Sequence, residues 1–552
     1  MIGVAVQASE SAIAAEFFEL FKTPWEFCRD GGKYDVVLST SGTHLCEAPQ
    51  LLLILSGEPT SVDMDHKVRV NSRRGGVVLS NEGKRLPIYC QLATFPAGEA
   101  SLLFDETTRE PTAYAVRRGN STIARVGYNL FEEIRFLLTA GQPAANAAIP
   151  TLEEHIALLR EWIVRAGIPV VEIPPVPSGY NFIACLTHDI DHPVLRNHWC
   201  DHTMFGFLYR STIGTCLNVC GGRKPASSLL KNWKAACLLP FVHLGIAKDY
   251  WSQFDRYLDM ERGHGSTFFV IPRGNYPGRT RDGSASPMRA CRYDVGELLP
   301  QLRRISSAEC EVGVHGLDAW LDADEGRRER DSVSRAIGAA ELGVRMHWLY
   351  FDATSPALLD RAGFTYDSTV GYCETVGFRA GTTQAYRSPG VNNLLELPLH
   401  VMDTSLFYPS YLNLGEAEAE RLVWRLIDDA ERIGGVFTIN WHDRSIAPER
   451  LWGDFYLKLL GELERREAWL PTASKAVAWF RKRRTATVDA VRAETGMIKV
   501  RGRVNGADRL PGLKIRVHKP RARSLSEPLA TGRPAGFVDV SLNDAIESNI
   551  AL

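Results

Sequence analysis

The run Thr-His-Asp-Ile-Asp-His at residues 187–192 concentrates ionisable side chains in one short segment. Asp189 and Asp191 are two residues apart, so an extended backbone places both carboxylates on the same side. Two adjacent carboxylates repel each other unless a metal ion or a cation relieves them. Because Asp and His also favour turns, a capped turn is the alternative interpretation. We favour a metal-binding or catalytic site.

Three further polar residues lie in or directly after apolar runs. His315 ends the run EVGVH, Arg345 lies within GVRMHWLY, and His442 follows GVFTINW. A buried guanidinium requires a partner, and an ionised Asp is the best match. Polar residues at the ends of several barrel strands are typical of catalytic sites. Together with the paired Asp residues, these positions predict one shared site.

Short apolar strands alternate with helices around these positions. This alternation predicts a parallel α/β barrel over 151–482. The predicted strands are 182–187, 266–271, 311–315, 343–350, 394–399 and 435–441. The predicted helices include 251–262, 325–342, 355–363 and 416–432.

Other parts of the chain have a different character. Residues 1–140 predict a mixed α/β domain with no catalytic constellation, and a small, uncharged linker follows it. Residues 483–552 predict a small β-rich or partly disordered extension. The insert 194–247 contains four Cys and several His residues, and a lid over the site or a second zinc site remains open for it.

Bulk properties exclude several classes of protein. The 552 residues carry a formal net charge of −1, so no global field attracts nucleic acid. The N-terminus lacks the basic and apolar regions of a signal peptide, and no apolar run is long enough for a transmembrane segment. We therefore expect a cytoplasmic protein of two or three domains, whose oligomeric state the sequence does not define.

The motifs resemble the polysaccharide deacetylase family (the NodB-homology domain, carbohydrate esterase family 4). The resemblance covers about residues 180–445 and rests on THDIDHP, STFFV, EVGVHG, the strand with Arg345, and INWH ending at His442. It implies an α/β fold, a distorted (β/α) barrel of the polysaccharide deacetylase type, and a carbohydrate substrate.

The resemblance also implies a metal site. Asp191 and His315 match two ligands of a divalent ion, with zinc expected and Mn or Mg as alternatives. The family's second histidine position is Ala319, which cannot bind metal. We expect Asp318, one residue earlier, to supply the third ligand, and Asp322 is a more distant option.

The remaining site residues follow from the same resemblance. Asp189 matches the general base and Arg345 the cation that orients it. His442 matches the general acid, and Asp403 is expected to orient it, with Asp367 as the alternative.

The expected reaction is hydrolysis of an acetyl group from an N-acetylated sugar or polysaccharide precursor, or less readily of an O-acetyl ester. We expect Trp348, Tyr372 and Arg379 to contact the substrate. Two alternatives stay open: a catalytically impaired barrel that binds glycans, and a hydrolase of another non-peptide C–N bond.

Overall fold

The computed structural model describes residues 1–40, 49–71, 73–81, 83–98, 101–222, 224–492, 496–504, 509–521, 525 and 536–552. Parts of the expected C-terminal extension lie outside these residues. The chain divides into two compact units. The barrel unit comprises Tyr180–Arg379 and Gly390–Ala478, and the mixed-sheet unit comprises Met1–Gly179, Ala380–Pro389 and Trp479–Leu552. Within the described ranges, no helix combines the length and apolarity needed to cross a membrane.

The barrel unit is built on a sheet of eight parallel strands, counted over the described residues. In chain order they are β1 (Phe182–Ile190), β2 (Ser266–Val270), β3 (Glu311–Gly316), β4 (Val344–Met346), β5 (Tyr366–Asp367), β6 (Leu395–Glu396), β7 (Val401–Met402) and β8 (Val436–Asn440). Their order across the sheet is β6-β5-β4-β3-β2-β1-β8-β7. The short strand Ala468–Trp469 also pairs with the start of β1. Every residue of β1 is buried, as expected for a central parallel strand covered on both faces.

A short linker brings the two edges of this sheet together. The edge strands β6 and β7 are separated only by residues 397–400, which can span at most about 18 Å. At one end of the linker, the Leu397 N–H donates to the Asp367 carbonyl of β5. At the other end, the His400 N–H donates to the Thr438 carbonyl of β8. The sheet therefore curls on itself, which confirms the predicted distorted (β/α) barrel.

Helices fill the connections between strands. The helix Glu416–Ile433 buries one apolar face, including Val423 and Ile427, as its sequence periodicity requires. The α-helices that begin in the barrel unit are His202–Tyr209, Thr215–Cys220, Ser227–His243, Phe254–Met260, Leu299–Ser307, Ala323–Ile337, Ser355–Ala362, Asp403–Phe407, Glu416–Ile433, Gly453–Arg465 and Ala473–Thr485. A π-helical segment, Arg210–Gly214, joins the first two.

The mixed-sheet unit contains a nine-stranded sheet, parallel at one end and antiparallel at the other. Its strands, in spatial order, are Trp25–Phe27, Ile2–Ala5, Val36–Ser39, Leu51–Leu55, Ser121–Val126, Pro111–Arg118, Ser101–Asp105, Val77–Asn81 and Lys84–Ile88. Its longer helices are Ser11–Phe21, Leu130–Thr139 and Thr151–Arg165.

C-terminal strands complete this unit. Val170–Glu172 pairs with Leu513–His518, which pairs with Phe537–Leu542. A second small sheet contains Thr487–Arg492, Met497–Arg503 and Ala545–Ala551. The helix Thr151–Arg165, which we expected to belong with the barrel, and the described C-terminal strands thus both belong to the mixed-sheet unit.

Candidate active site

A cavity of about 470 Å³ lies at the carboxyl ends of the barrel strands. The strand ends place several ionisable side chains along its wall because parallel strands all end at the same side of the barrel. Those that the cavity shares with the sequence-predicted site are Asp189, Asp191, His315 and His442. Residues separated by more than 250 positions in sequence therefore meet in one place.

Asp189 is held by two donors inside the barrel. Arg345 Nη1 donates to Asp189 Oδ1 at 3.0 Å, although β4 and β1 are three strands apart in the sheet. Asn440 Nδ2 donates to Asp189 Oδ2 at 2.7 Å. The Arg345 side chain is fully buried; its Nη1 also donates to the Thr187 hydroxyl, and its Nε and Nη2 donate to Ser368. This pairing fixes the orientation of Asp189 and compensates its negative charge.

Asp191, His315 and His347 form a group whose candidate ligand atoms all lie within 4.8 Å of one another. His315 Nε2 is 3.3 Å from Asp191 Oδ1, and His347 Nε2 is 3.5 Å from the same oxygen. Ligands bound at 2.0–2.1 Å to a tetrahedral zinc ion are separated by about 3.3 Å, so the spacing suits such an ion. Asp191 Oδ1 is buried and, among the described residues, has no hydrogen-bond donor. The three residues fit a divalent metal.

The protonation of this group also suits metal binding. His315 Nδ1 lies 3.0 Å from the Arg345 carbonyl, which can only accept, so Nδ1 carries a proton and Nε2 is the nitrogen that faces Asp191. Burial lowers the pKa of His347 well below its ordinary value, despite the attraction of Asp191. Burial alone would raise the pKa of Asp191, but His347, His315 and His442 hold it well below its usual range. Neutral imidazoles and an ionised carboxylate are the forms that bind metal.

His347 is positioned by an unusual backbone and by a buried arginine. The two residues that follow it, Trp348 and Leu349, have φ values of 60° and 52° in the left-handed region. Arg289 is buried, and its Nη2 donates to the His347 carbonyl at 2.9 Å and to the Leu317 carbonyl at 3.1 Å. Arg289 therefore ties together the segments that follow β3 and β4.

His442 is paired with Asp403 on another wall of the cavity. His442 Nδ1 lies 2.6 Å from Asp403 Oδ1, and the His442 N–H donates to Asp403 Oδ2 at 2.7 Å. Burial alone would lower the pKa of His442, but Asp403, Asp191 and Asp189 together raise it to about 10. The Asp403 carboxyl is buried, yet His442 holds its pKa below the usual value. His442 is therefore a protonated imidazole with its Nε2 3.8 Å from Asp191 Oδ2.

Asp318, expected as the third metal ligand, is not part of the metal-ligating group. Its Oδ2 accepts a hydrogen bond from the Tyr276 hydroxyl at 2.6 Å and from Arg279 Nε at 3.1 Å. Its Oδ1 accepts from the Arg279 backbone N–H at 2.7 Å. With both oxygens engaged, Asp318 has a structural role, and His347 takes the place that we expected it to fill.

Of the three residues expected to contact the substrate, only Trp348 lines the cavity. Trp348 lines the cavity and is 43% exposed, so its indole can meet a ligand. Among the described residues, neither Tyr372 nor Arg379 lines the cavity. Tyr372 is buried, and Arg379 donates to the Gly371 carbonyl while its guanidinium packs over two aromatic rings. Their expected contact with substrate does not agree with this placement.

The structure also bears on two alternatives, Asp367 as the partner of His442 and a second zinc site in the insert 194–247. Asp367, the alternative partner of His442, instead accepts a hydrogen bond from the Thr369 hydroxyl. Among the described residues, no metal-ligating group includes a cysteine of the insert 194–247, so the possible second zinc site has no structural counterpart.

Two site residues were missed by the sequence analysis, and each carried a usable signal. His347 lies two positions after Arg345, and Asn440 lies two positions before His442. The alternation that placed Asp189 and Asp191 on one side would place each of these beside its predicted neighbour.

Comparison with known proteins gives limited similarity. No family model matches the chain, and no curated protein matches it. Among solved structures, it is similar to a protein assigned as a polysaccharide deacetylase from Mycobacterium smegmatis, at 18% identity and a TM-score of 0.35, over 58% of this chain and 100% of that chain. It is similar to Puue allantoinase at 15% identity and a TM-score of 0.34, over 56% and 93% of the two chains.

A third similar structure is a protein assigned as a polysaccharide deacetylase from Pseudomonas aeruginosa PAO1. The identity is 15% and the TM-score 0.34, over 58% of this chain and 97% of that chain. At these values the function has to be argued from the geometry of the site.

Proposed function

We propose that this protein is a metal-dependent hydrolase that removes an acetyl group from an N-acetylated sugar or polysaccharide precursor. The observation that carries the proposal is the metal-ligating group Asp191, His315 and His347 beside two separate charged pairs, Asp189–Arg345 and His442–Asp403. A base, an acid and a metal site along one cavity are the parts that amide hydrolysis requires.

Asp191, His315 and His347 would hold the divalent ion. Two imidazole nitrogens and one carboxylate oxygen favour zinc, with Mn or Mg as alternatives. When bound, the ion would polarise the acetyl carbonyl and lower the pKa of a bound water. Three protein ligands would leave positions free for that water and the substrate.

Asp189 acts as the general base. Its carboxylate accepts one hydrogen bond at each oxygen, which leaves lone pairs available for the proton of the attacking water. Arg345 pairs with this carboxylate and fixes its orientation beside the cavity.

His442 acts as the general acid. Its Nδ1 is held by Asp403, so the proton on Nε2 faces the cavity and can pass to the leaving amine. The Asp403 carboxylate keeps the imidazole protonated and prevents rotation of the ring.

Trp348 is the residue that best suits sugar recognition. Its partly exposed indole lies next in sequence to His347, so a ring stacked on it lies near the metal-ligating group. A sugar presents both apolar C–H faces and polar edges, which suits a cavity with aromatic and charged walls.

The alternative of an impaired glycan-binding barrel rested on the missing histidine at Ala319. Because His347 completes a three-residue group, that argument loses its basis. A hydrolase of another non-peptide C–N bond uses the same groups, and substrate screening separates the two.

The test combines metal analysis with product release. Purified protein is reconstituted with zinc, and acetate release is measured on a panel of N-acetylated sugars, O-acetylated sugars and cyclic amides. We expect about one metal ion per chain and acetate release from an N-acetylated sugar. Asp191→Ala should lose both, whereas the exposed Asp259→Ala, which removes only a surface pair with Arg262, should lose neither. A wild-type protein without metal affinity, or an active Asp191→Ala variant, would reject the proposal.

A further inference from the structure

Besides Arg289, the cavity wall carries three arginines, Arg210, Arg444 and Arg450, called the arginine end below. Arg450 is only 3% exposed, and its Nε is buried without a hydrogen-bond partner. The Nε of Arg210 is also buried and without a partner. Buried guanidinium donors that the protein does not satisfy are costly unless a ligand satisfies them.

The described residues place no carboxylate in direct contact with the guanidinium groups of the arginine end. In the part of the chain that the structure describes, none of the three guanidinium groups forms an ion pair with a carboxylate within 4.0 Å. The nearby Glu449 instead accepts a hydrogen bond from Trp251 Nε1 at 2.9 Å. Burial alone would raise the pKa of Tyr408, but Arg450, Arg444 and Arg210 lower it to about 8. The positive charges of all three arginines therefore act on the same tyrosine beside the cavity.

We propose that the arginine end binds a phosphate or diphosphate group of the substrate, so that the acetylated sugar is a phosphorylated one. Guanidinium groups bind phosphate oxygens through paired, charge-assisted hydrogen bonds. The same cavity holds the metal-ligating group, so one ligand reaches both ends. This inference rests on the proposed deacetylase function for the identity of the sugar, but the anion site itself does not depend on turnover.

The test measures pyrophosphate binding by calorimetry to the full chain after removal of metal with a chelator. We expect binding to the wild type, weakened by about tenfold or more in Arg450→Gln and in Arg210→Gln, since each removes a charge-assisted donor. Arg304→Gln, which removes an exposed arginine paired with Asp255, is the matched control and should bind as the wild type does.

Absence of pyrophosphate binding, or equal binding by all three variants, overturns the anion site. Circular dichroism and a melting curve establish that each variant is folded, and Arg210→Gln serves as the second variant because Arg210 is less buried than Arg450. If pyrophosphate binds but no acetylated sugar is hydrolysed, the proposed function fails while the anion site stands. A lower KM for a phosphorylated than for a neutral N-acetylated sugar supports both.

The insert 194–247 has an independent feature, an exposed apolar surface. It contains ten of the twenty exposed large hydrophobic side chains found among the described residues, in about a tenth of the chain. They are Trp199, Phe205, Tyr209, Ile213, Leu217, Leu230, Trp233, Phe241, Leu244 and Ile246. An apolar concentration of this kind marks an interaction surface.

The helix Ser227–His243 carries apolar side chains on its exposed face as well as on its buried face. Leu230, Trp233 and Phe241 are exposed at helical spacing, and Leu230 is 77% exposed. The buried face includes the polar Asn232, which donates to Thr215 Oγ1 at 2.7 Å. A helix that faces only water has the opposite arrangement.

Three of the exposed apolar residues of the insert line one groove. A groove of about 480 Å³ lies between the helical segment 210–220 and Ser227–His243, and its walls include Ile213, Leu217 and Trp233. Both segments thus present their apolar side chains to the same groove. Basic residues outnumber acidic ones over 194–247, where Asp201 is the single acid, and Lys231 and Lys234 are exposed.

We propose that this insert binds the surface of an anionic membrane, with its helices lying in the plane of the headgroups. Exposed Trp, Tyr and Leu suit the boundary between headgroups and acyl chains, and the lysines suit anionic lipids. Tyr209 and Leu217 of this surface line a second cavity of about 600 Å³ together with Arg210 and Arg450, so the surface adjoins the arginine end.

The test is co-sedimentation of the full chain with vesicles of phosphatidylcholine mixed with phosphatidylglycerol, compared with phosphatidylcholine alone. We expect stronger binding to the mixed vesicles, weakened by salt. The double variant Leu230→Glu, Trp233→Glu should reduce the partition coefficient about tenfold or more, because it removes two apolar anchors and adds negative charge. Leu457→Glu, at an exposed leucine outside the insert, is the matched control.

Two outcomes overturn the membrane proposal. The first is wild-type protein that does not sediment with either vesicle. The second is a dimer in light scattering that the double variant dissociates, combined with no vesicle binding, which would assign the surface to a second copy of the chain. Neither result changes the measurement of acetate release, so the proposed function is tested separately.

Discussion

The segments that follow β3 and β4 each carry a polar side chain near a strand end, Asp318 and His347. Of these two, only His347 is free for a ligand. After β3, the Asp318 carboxylate is saturated by Tyr276 and Arg279. After β4, the His347 imidazole faces Asp191, and its Nδ1 has no partner among the described residues. A position near a strand end is therefore not sufficient for a polar side chain to bind a metal. A polar group can bind a metal when the protein leaves its lone pair unused.

The largest expected effect comes from removing the free group. His347→Ala should weaken metal affinity by more than about 100-fold and abolish acetate release, because it removes a direct ligand. Elemental analysis after dialysis and the acetate assay measure the two effects. His264→Ala, at a histidine that pairs with Glu464 on the surface, is the control. Full metal content in His347→Ala would contradict the assignment of His347 as a ligand.

Removal of the metal should lower the thermal stability of the wild type but not that of the His347→Ala variant. A ligand that binds only the folded state stabilises it, by about 2.7 kcal/mol at a concentration 100 times its Kd. Chelation should therefore lower the Tm of the wild type, and His347→Ala should show no such decrease. An equal decrease in both proteins would show that the ion binds elsewhere.

Placing a histidine at position 319 should cost stability without improving metal binding. Ala319 is fully buried, and a Cβ built on Gly326 would lie 3.3 Å from the Ala319 Cβ, so there is no room for an imidazole. Ala319→His should destabilise the fold by about 1–3 kcal/mol in denaturant unfolding. Ala308→His, at an exposed position, is the control. Tighter metal binding by Ala319→His would contradict this account.

The smallest effect is expected at the saturated carboxylate. Asp318→Asn should lower the free energy of unfolding by about 1–2 kcal/mol, because one oxygen that accepts hydrogen bonds becomes a donor. Metal content should not change. Asp322→Asn is the matched control, because Asp322 caps the helix Ala323–Ile337 and Asn caps nearly as well. Loss of metal in Asp318→Asn would restore Asp318 as a ligand.

Much of the barrel was accessible from sequence, because buried parallel strands are continuous apolar runs. The run at 182–187 predicted the core of β1, and polar residues at strand ends predicted where the site forms. The strands β5 and β7 were not separately predicted because each has only two residues, too few for a periodic pattern.

Excluding Asp318 as the third ligand required information that local sequence does not contain. Whether Asp318 is free depends on Arg279 and Tyr276, about forty positions earlier. The arginine end is similar, because Arg210 and Arg450 are 240 positions apart and only the folded chain brings them to one cavity. The sequence contains an apolar insert, but whether its apolar residues face inward or outward is a property of tertiary packing.

The linker 397–400 has a consequence for the order in which activity develops during folding. It joins the two edges of the sheet, and Asp403 follows it by three residues, whereas β1 and β8 meet across about 250 positions of sequence. Contacts of such high sequence separation form late, because a long loop must close before they are gained. The hydrogen bond from Asn440 to Asp189, which are 251 positions apart, can form only after this closure. A refolding chain will therefore regain its helical signal before it regains turnover. The delay between the two is the time needed to bring β1 and β8 together.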